Sequence, residues 1–152
     1  MRVELSREFP IPLKQGYDYL MDPKLFSAWR VGMIEILDPD HAAWSQAGDR
    51  FRFAYRLLGR RVEGECVLDE LQEGELVRYT ASIPGLPKVH ETWRYRATGE
   101  SSFELKSVQE TEESTSFFGK AIDRMVFPRA IERDLKRTLD NLEDIFSMGV
   151  PD

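Results

Sequence analysis

The chain is poor in the residues that hold structure or chemistry through sulfur and imidazole. Its one cysteine, Cys66, allows no internal disulfide and fits a reducing compartment. His41 and His90 are the only histidines. With Cys66 they form no metal-ligand spacing, so neither a metal nor a cofactor is expected. No phosphate-cradling glycine loop, dinucleotide fingerprint or nucleophile elbow occurs. No apolar run approaches the ~18 residues of a membrane span. The opening segment MRVELSREF alternates charged and apolar residues, unlike a secretion leader. The expectation is a cytoplasmic protein without stable membrane insertion. Excess positive charge is missing too: 21 Lys and Arg face 27 Asp and Glu, a net charge of −6. Binding a nucleic acid needs a basic face, so nucleic acid is excluded as the main partner.

What is present fits one domain. A chain of 152 residues can bury a core unaided. The domain is placed at 1–148, and 149–152, with Gly149 and Pro151, reads as a tail. Residues 2–9 alternate, with Val3, Leu5 and Phe9 opposite Glu4, Ser6 and Glu8. This predicts a half-buried strand, stopped by Pro10 and Pro12. Leu13, Tyr17 and Leu20 then recur at helical spacing. Asp22-Pro23 opens a second short helix with Asp22 as its cap and Leu25, Phe26 and Trp29 as its apolar face. Six strands are expected next, at 32–38, 49–58, 61–71, 75–83, 88–97 and 102–111. Their joints are short and rich in Gly, Pro and Asp, which predicts an antiparallel meander.

Residues 114–146 are the one long helical stretch, with Ser114, Thr115 and Ser116 as capping side chains. Its apolar stripe runs through Phe118, Ile122, Met125, Ile131, Leu135, Leu139, Leu142 and Phe146. Pro128 falls inside the stripe, where a kink or break is expected. A sheet with one apolar face must cover it, and only this helix is long enough. If the sheet curves around the helix, part of the concave face stays open as a pocket. The fold class expected is therefore α+β: a curved antiparallel sheet of about seven strands wrapped around a long C-terminal helix, with two short helices after the first strand.

The stretch from Phe9 to Trp29, FPIPLKQGYDYLMDPKLFSAW, resembles the opening of the START-like, helix-grip (SRPBCC) superfamily. There a first strand leads through a Pro-containing turn to a short helix, an Asp-Pro step and a Trp. The segment from Glu91 to Leu105, ETWRYRATGESSFEL, is similar to that family's late hairpin, and the Pro-interrupted final helix resembles its last element. The likeness covers nearly the whole chain in element order. It implies a cavity for lipids, sterols, polyketides or other hydrophobic molecules. Members of the family include polyketide cyclases and dehydratases, lipid and quinone carriers, and chaperone-binding proteins.

Inward parity on the strands selects Phe51, Phe53, Tyr55, Tyr79, Trp93, Tyr95 and Phe103 as cavity walls or plain core, and the short helices add Phe26 and Trp29. The final helix would cross the pocket at Phe118, Ile122, Met125 and Arg129. There Arg129 either holds a carboxylate or lies at the surface. Glu91 shares parity with Trp93 and Tyr95. Buried beside a pocket it would serve as a general acid or base; at a strand end it would be solvated or paired with an arginine. Tyr55 and Tyr95 join it as catalytic candidates, through hydroxyls able to orient a ligand carbonyl.

Three functions fit these observations. The first is a carrier or sensor of a small hydrophobic molecule. The second is a cyclase- or dehydratase-type enzyme, which can work by folding a reactive chain and excluding water, without a motif. The third is a protein-interaction module, which requires an exposed apolar patch. The chain is expected to be a monomer or a homodimer paired through an edge strand.

Overall fold

The computed structural model describes the backbone of residues 1–112 and 120–150 and the side chains of 1–112 and 127–150. The chain begins with β1 (Arg2–Phe9), α1 (Leu13–Leu20) and a 3-10 turn (Pro23–Leu25) that runs into α2 (Phe26–Trp29). Then come β2 (Met33–Leu37), β3 (Arg50–Leu57), β4 (Arg60–Gln72), β5 (Leu76–Ser82), β6 (Val89–Gly99), β7 (Ser102–Thr111) and α3 (Lys120–Ser147). The strands form one antiparallel sheet in the order β1-β7-β6-β5-β4-β3-β2, curled into a half-barrel against the C-terminal helix. β2 to β7 make the expected meander. β1 pairs with β7, Arg2 opposite Glu110 and Phe9 opposite Phe103. The α1–α2 elbow therefore carries the chain from one edge of the sheet to the other.

Local chemistry explains the elbow. Asp22 accepts a hydrogen bond from the Lys24 N–H at 3.0 Å, and Pro23 takes the first helical position. α1 packs on β6, and α2 packs on β2 and α3. The curl has local causes as well. Register shifts lie between Met33 and Glu35, Leu68 and Glu70, and Ala97 and Gly99, and such bulges bend a strand and increase its twist.

Of the kink or break expected at Pro128, the break does not occur: α3 is continuous through it. A proline forfeits one backbone bond, while Leu135, Leu139, Leu142 and Phe146 bury the helix against the sheet over several turns. Its proposed capping residues Ser114, Thr115 and Ser116 lie outside the described residues. The C-terminal half of α3 closes one end of the half-barrel: the Phe146 ring lies 5.1 Å from Phe9, 5.6 Å from Tyr19 and 6.2 Å from Phe103. Arg7, the one charged residue on the apolar side of β1, reaches α3 and donates to Asp140 at 2.5 Å and Glu143 at 3.1 Å.

Candidate functional site

Beyond this filled end, the sheet, the elbow and the Phe127–Thr138 stretch of α3 line a partly open cavity of about 120 Å³. Alternate residues of the strands face it: Phe51, Phe53 and Tyr55 of β3, Val77 and Tyr79 of β5, and Glu91, Trp93 and Tyr95 of β6. α3 contributes Ile131, Asp134, Leu135 and Thr138, which follow helical spacing. The walls are held by edge-on aromatic contacts. Trp44, from the loop before β3, meets Phe51 at 4.9 Å, Tyr79 at 5.4 Å and Phe26 at 6.3 Å, and Trp29 meets Trp93 at 5.6 Å.

A buried ion pair stands in this apolar wall. Arg30 caps the end of α2, and its Nη2 donates to Oε2 of Glu91 at 2.6 Å. Its Nη1 donates to the Tyr79 hydroxyl. Glu91 is 1% exposed, and its Oε1 accepts from Trp93 Nε1 and, at 3.4 Å, from Ser107 Oγ. Donors therefore converge on both carboxylate oxygens, so the buried charge is matched and hydrogen-bonded. Burial is the largest single influence and works against the Arg30 charge, but Glu91, Tyr79 and Tyr55 together outweigh it and hold the guanidinium well above its ordinary pKa. Burial raises the Tyr79 phenol well above its usual value, against the pull of Arg30.

Tyr55 donates to Oδ2 of Asp134 at 3.1 Å, and burial raises its phenol strongly. Burial does the same to Tyr95 and pushes the Cys66 thiol up to about 12. The residues flanking Arg30 are tied to α3. The Val31 N–H donates to Thr138 Oγ1 at 3.1 Å, and Asn141 Nδ2 donates to the Trp29 carbonyl at 3.4 Å.

The expected wall residues Phe26, Trp29, Phe51, Phe53, Tyr55, Tyr79, Trp93 and Tyr95 all line the cavity. Phe103 does not. It lies toward the far end of β7, opposite Phe9, and belongs to the filled end. Arg129 is exposed and is not among the described lining residues, which matches the surface alternative. Phe118 and the side chains of Ile122 and Met125 lie outside the described residues. Glu91 is buried and also paired with an arginine, two states that parity alone presented as alternatives. Arg30, Trp44, Asp134 and Thr138 went unmarked in the sequence. Arg30 and Trp44 sit where no period applies, and Asp134 and Thr138 read as the polar flank of the α3 stripe.

Among the described residues no group of His, Cys, Asp and Glu is arranged to hold a metal ion, and no helix is long and apolar enough to cross a membrane. A curled seven-stranded antiparallel sheet, a C-terminal helix laid against it and a cavity between them define a helix-grip protein. The family model described as "Polyketide cyclase / dehydrase and lipid transport" matches residues 1–146, and the chain belongs to that family. No match was found among curated proteins.

Solved structures share the fold at low identity. A START superfamily protein from Mycobacterium smegmatis is 11% identical, with a TM-score of 0.76 and 97% of each chain covered. The Zhui aromatase/cyclase from a Streptomyces species is 13% identical, with a TM-score of 0.76, covering 99% of this chain and 96% of that one. A Thermus thermophilus protein is 17% identical, with a TM-score of 0.76, covering 99% and 100%.

Proposed function

We propose that this protein binds a small hydrophobic molecule in the cavity between its sheet and α3, and serves as a carrier or sensor of that molecule. The observation that carries this reading is the cavity itself, walled by aromatic rings with a few polar groups placed among them. Native mass spectrometry of the purified protein, followed by organic extraction, tests it. The expected result is a co-purified apolar adduct, or one formed with a panel of hydrophobic compounds. A clean apo mass that ignores the whole panel overturns it.

A second reading, a cyclase- or dehydratase-type enzyme, is favoured by one observation: Arg30, Glu91 and Tyr79 form a hydrogen-bonded set inside an apolar cavity. Such a set is where proton transfer would be placed. Turnover of the extracted compound would distinguish enzyme from carrier. The third reading, an interaction module, has little support, because the large apolar side chains exposed among the described residues are the separate Leu58 and Met148.

A further inference from the structure

We infer that the tip of the β3–β4 hairpin docks this protein reversibly onto an anionic lipid surface, with Leu58 entering the acyl layer and Arg56, Arg60 and Arg61 meeting the lipid phosphates.

The first support is a residue that the turn itself disfavours. Leu57 pairs with Arg60, so Leu58 and Gly59 alone make the turn. Both have positive φ, +49° and +80°. That is the pattern of a type I′ turn, whose usual pair is Asn-Gly or Asp-Gly. A bulky side chain at positive φ is strained, and this one is also 51% exposed. Leucine therefore loses on backbone and on solvation at a position where asparagine would lose on neither. Such an outlier points to a partner that covers it.

The second support is a pairing of like charges. Arg56 stands directly opposite Arg61, and Arg60 adjoins them. Like charges in opposed positions destabilise a strand pair. All three arginines are exposed. The segment from Arg56 to Val62, RLLGRRV, holds no acidic residue. Glu35 at 2.8 Å and Glu63 at 3.5 Å both go to Arg61, while Arg56 donates to the Gly59 carbonyl at 3.5 Å. In a chain of net charge −6 this tip is a local exception, and bound anions would relieve it.

The third support is the shape of the tip. The β2–β3 pairing ends at Met33 and Tyr55, and the β4–β5 pairing ends at Glu65 and Ser82. From Leu57 to Glu63 the two strands have only each other as ladder partners, so the hairpin projects from the sheet. Its apex is apolar, and its cations stand two or three residues behind. A membrane interface presents the matching order, phosphates above acyl chains. A nucleic acid offers phosphates but no layer for Leu58. Leu57, beside the apex, lines the cavity, so docking brings the cavity to the lipid. One leucine and three arginines make a weak, salt-sensitive contact, well short of stable insertion.

Flotation of the purified protein with vesicles tests this. One set is phosphatidylcholine alone, and the other contains about one-third phosphatidylserine. At low salt the wild-type protein is expected to bind the anionic set at least about fivefold more tightly, the scale of one arginine near such a surface, and to come off at high salt. Leu58→Asn installs a residue that the turn prefers. Its melting temperature should equal or exceed that of wild type while its affinity for anionic vesicles falls about fivefold or more. Arg56→Gln combined with Arg60→Gln should abolish the preference for the anionic set. In the wild-type protein, a lipid-anchored spin label should broaden the Leu58 and Gly59 amide resonances most, a readout that needs no variant. No binding of wild type to anionic vesicles, equal binding to both sets, an unchanged affinity in Leu58→Asn, or broadening centred elsewhere overturns the inference. So does a tip that ignores vesicles and binds an acidic protein instead. No cavity ligand enters these measurements, so the cavity reading stands in every case.

Discussion

Arg30 and Glu91 stand 61 positions apart in the chain and meet at 2.6 Å inside the half-barrel, joining the end of the elbow to the first part of β6. Removing one partner strands the other in an apolar wall. Arg30→Met leaves Glu91 buried without its cation and is expected to cost about 3–5 kcal/mol. Arg30→Met combined with Glu91→Leu removes both charges and should cost less than Arg30→Met alone. Urea unfolding of the two single variants and the double measures the coupling. Simply additive losses would show that the two groups do not depend on each other.

Gly32 and Gly48 make a matched pair for separating backbone strain from crowding. Both have positive φ, +92° and +94°. A Cβ at Gly32 would lie 2.3 Å from the Tyr55 ring, whereas at Gly48 nothing comes within 4 Å. Gly48→Ala should therefore cost only the backbone conformation, roughly 1–2 kcal/mol. Gly32→Ala adds overpacking of about 1–3 kcal/mol and should push Tyr55 off Asp134. Thermal melts of the two variants test this, and equal losses would mean that Tyr55 moves aside freely.

The fold was legible because its signals are periodic. Alternation in Phe51, Phe53 and Tyr55 and in Glu91, Trp93 and Tyr95 marks an inward face, and all six residues line the cavity. Asp22-Pro23 marks a helix start by its chemistry, and the cap is made. The polar half of the site was not legible, for a physical reason. Arg30 lies after a four-residue helix and Trp44 in a loop, so only tertiary contact tells what they touch. Parity showed that Glu91 faces inward but could not show that an arginine from the elbow meets it there. Phe103 has inward parity as well, yet position along the strand, which periodicity does not encode, puts it in the filled end and not in the cavity wall.

Thr138 holds the elbow against α3 through a single hydroxyl that accepts from the Val31 N–H, and it is 3% exposed. Thr138→Val keeps the shape and removes the acceptor, leaving a backbone N–H without its partner. The expected cost is about 1–3 kcal/mol. Because Val31 follows Arg30, hydrogen exchange of the Val31 amide should also quicken. Thr138→Ser restores the oxygen and should recover most of the loss. If the valine variant matches wild type in both stability and exchange, the latch carries no weight.

Alkali should unfold this protein earlier than its net charge suggests. All five tyrosines, Tyr17, Tyr19, Tyr55, Tyr79 and Tyr95, have phenols raised above the ordinary 10.0 chiefly by burial, and the Cys66 thiol is raised from 9.0 to about 12. In each case the native state keeps a proton that the unfolded chain gives up. The sign follows from linkage: stability is full below the unfolded values and falls as pH rises through 9 for the thiol and 10 for the phenols. The thiol contribution is lost between pH 9 and about 12. Melting temperature should thus decline steadily from pH 9 upward, and Cys66→Ala should flatten the first part of that decline. Absorbance at about 295 nm should show fewer than five tyrosinates in the folded protein near pH 11 and a jump to all five on unfolding in urea. Ionisation of all five near pH 10 with the fold intact would mean that these rings are open to water, and their burial would have to be abandoned.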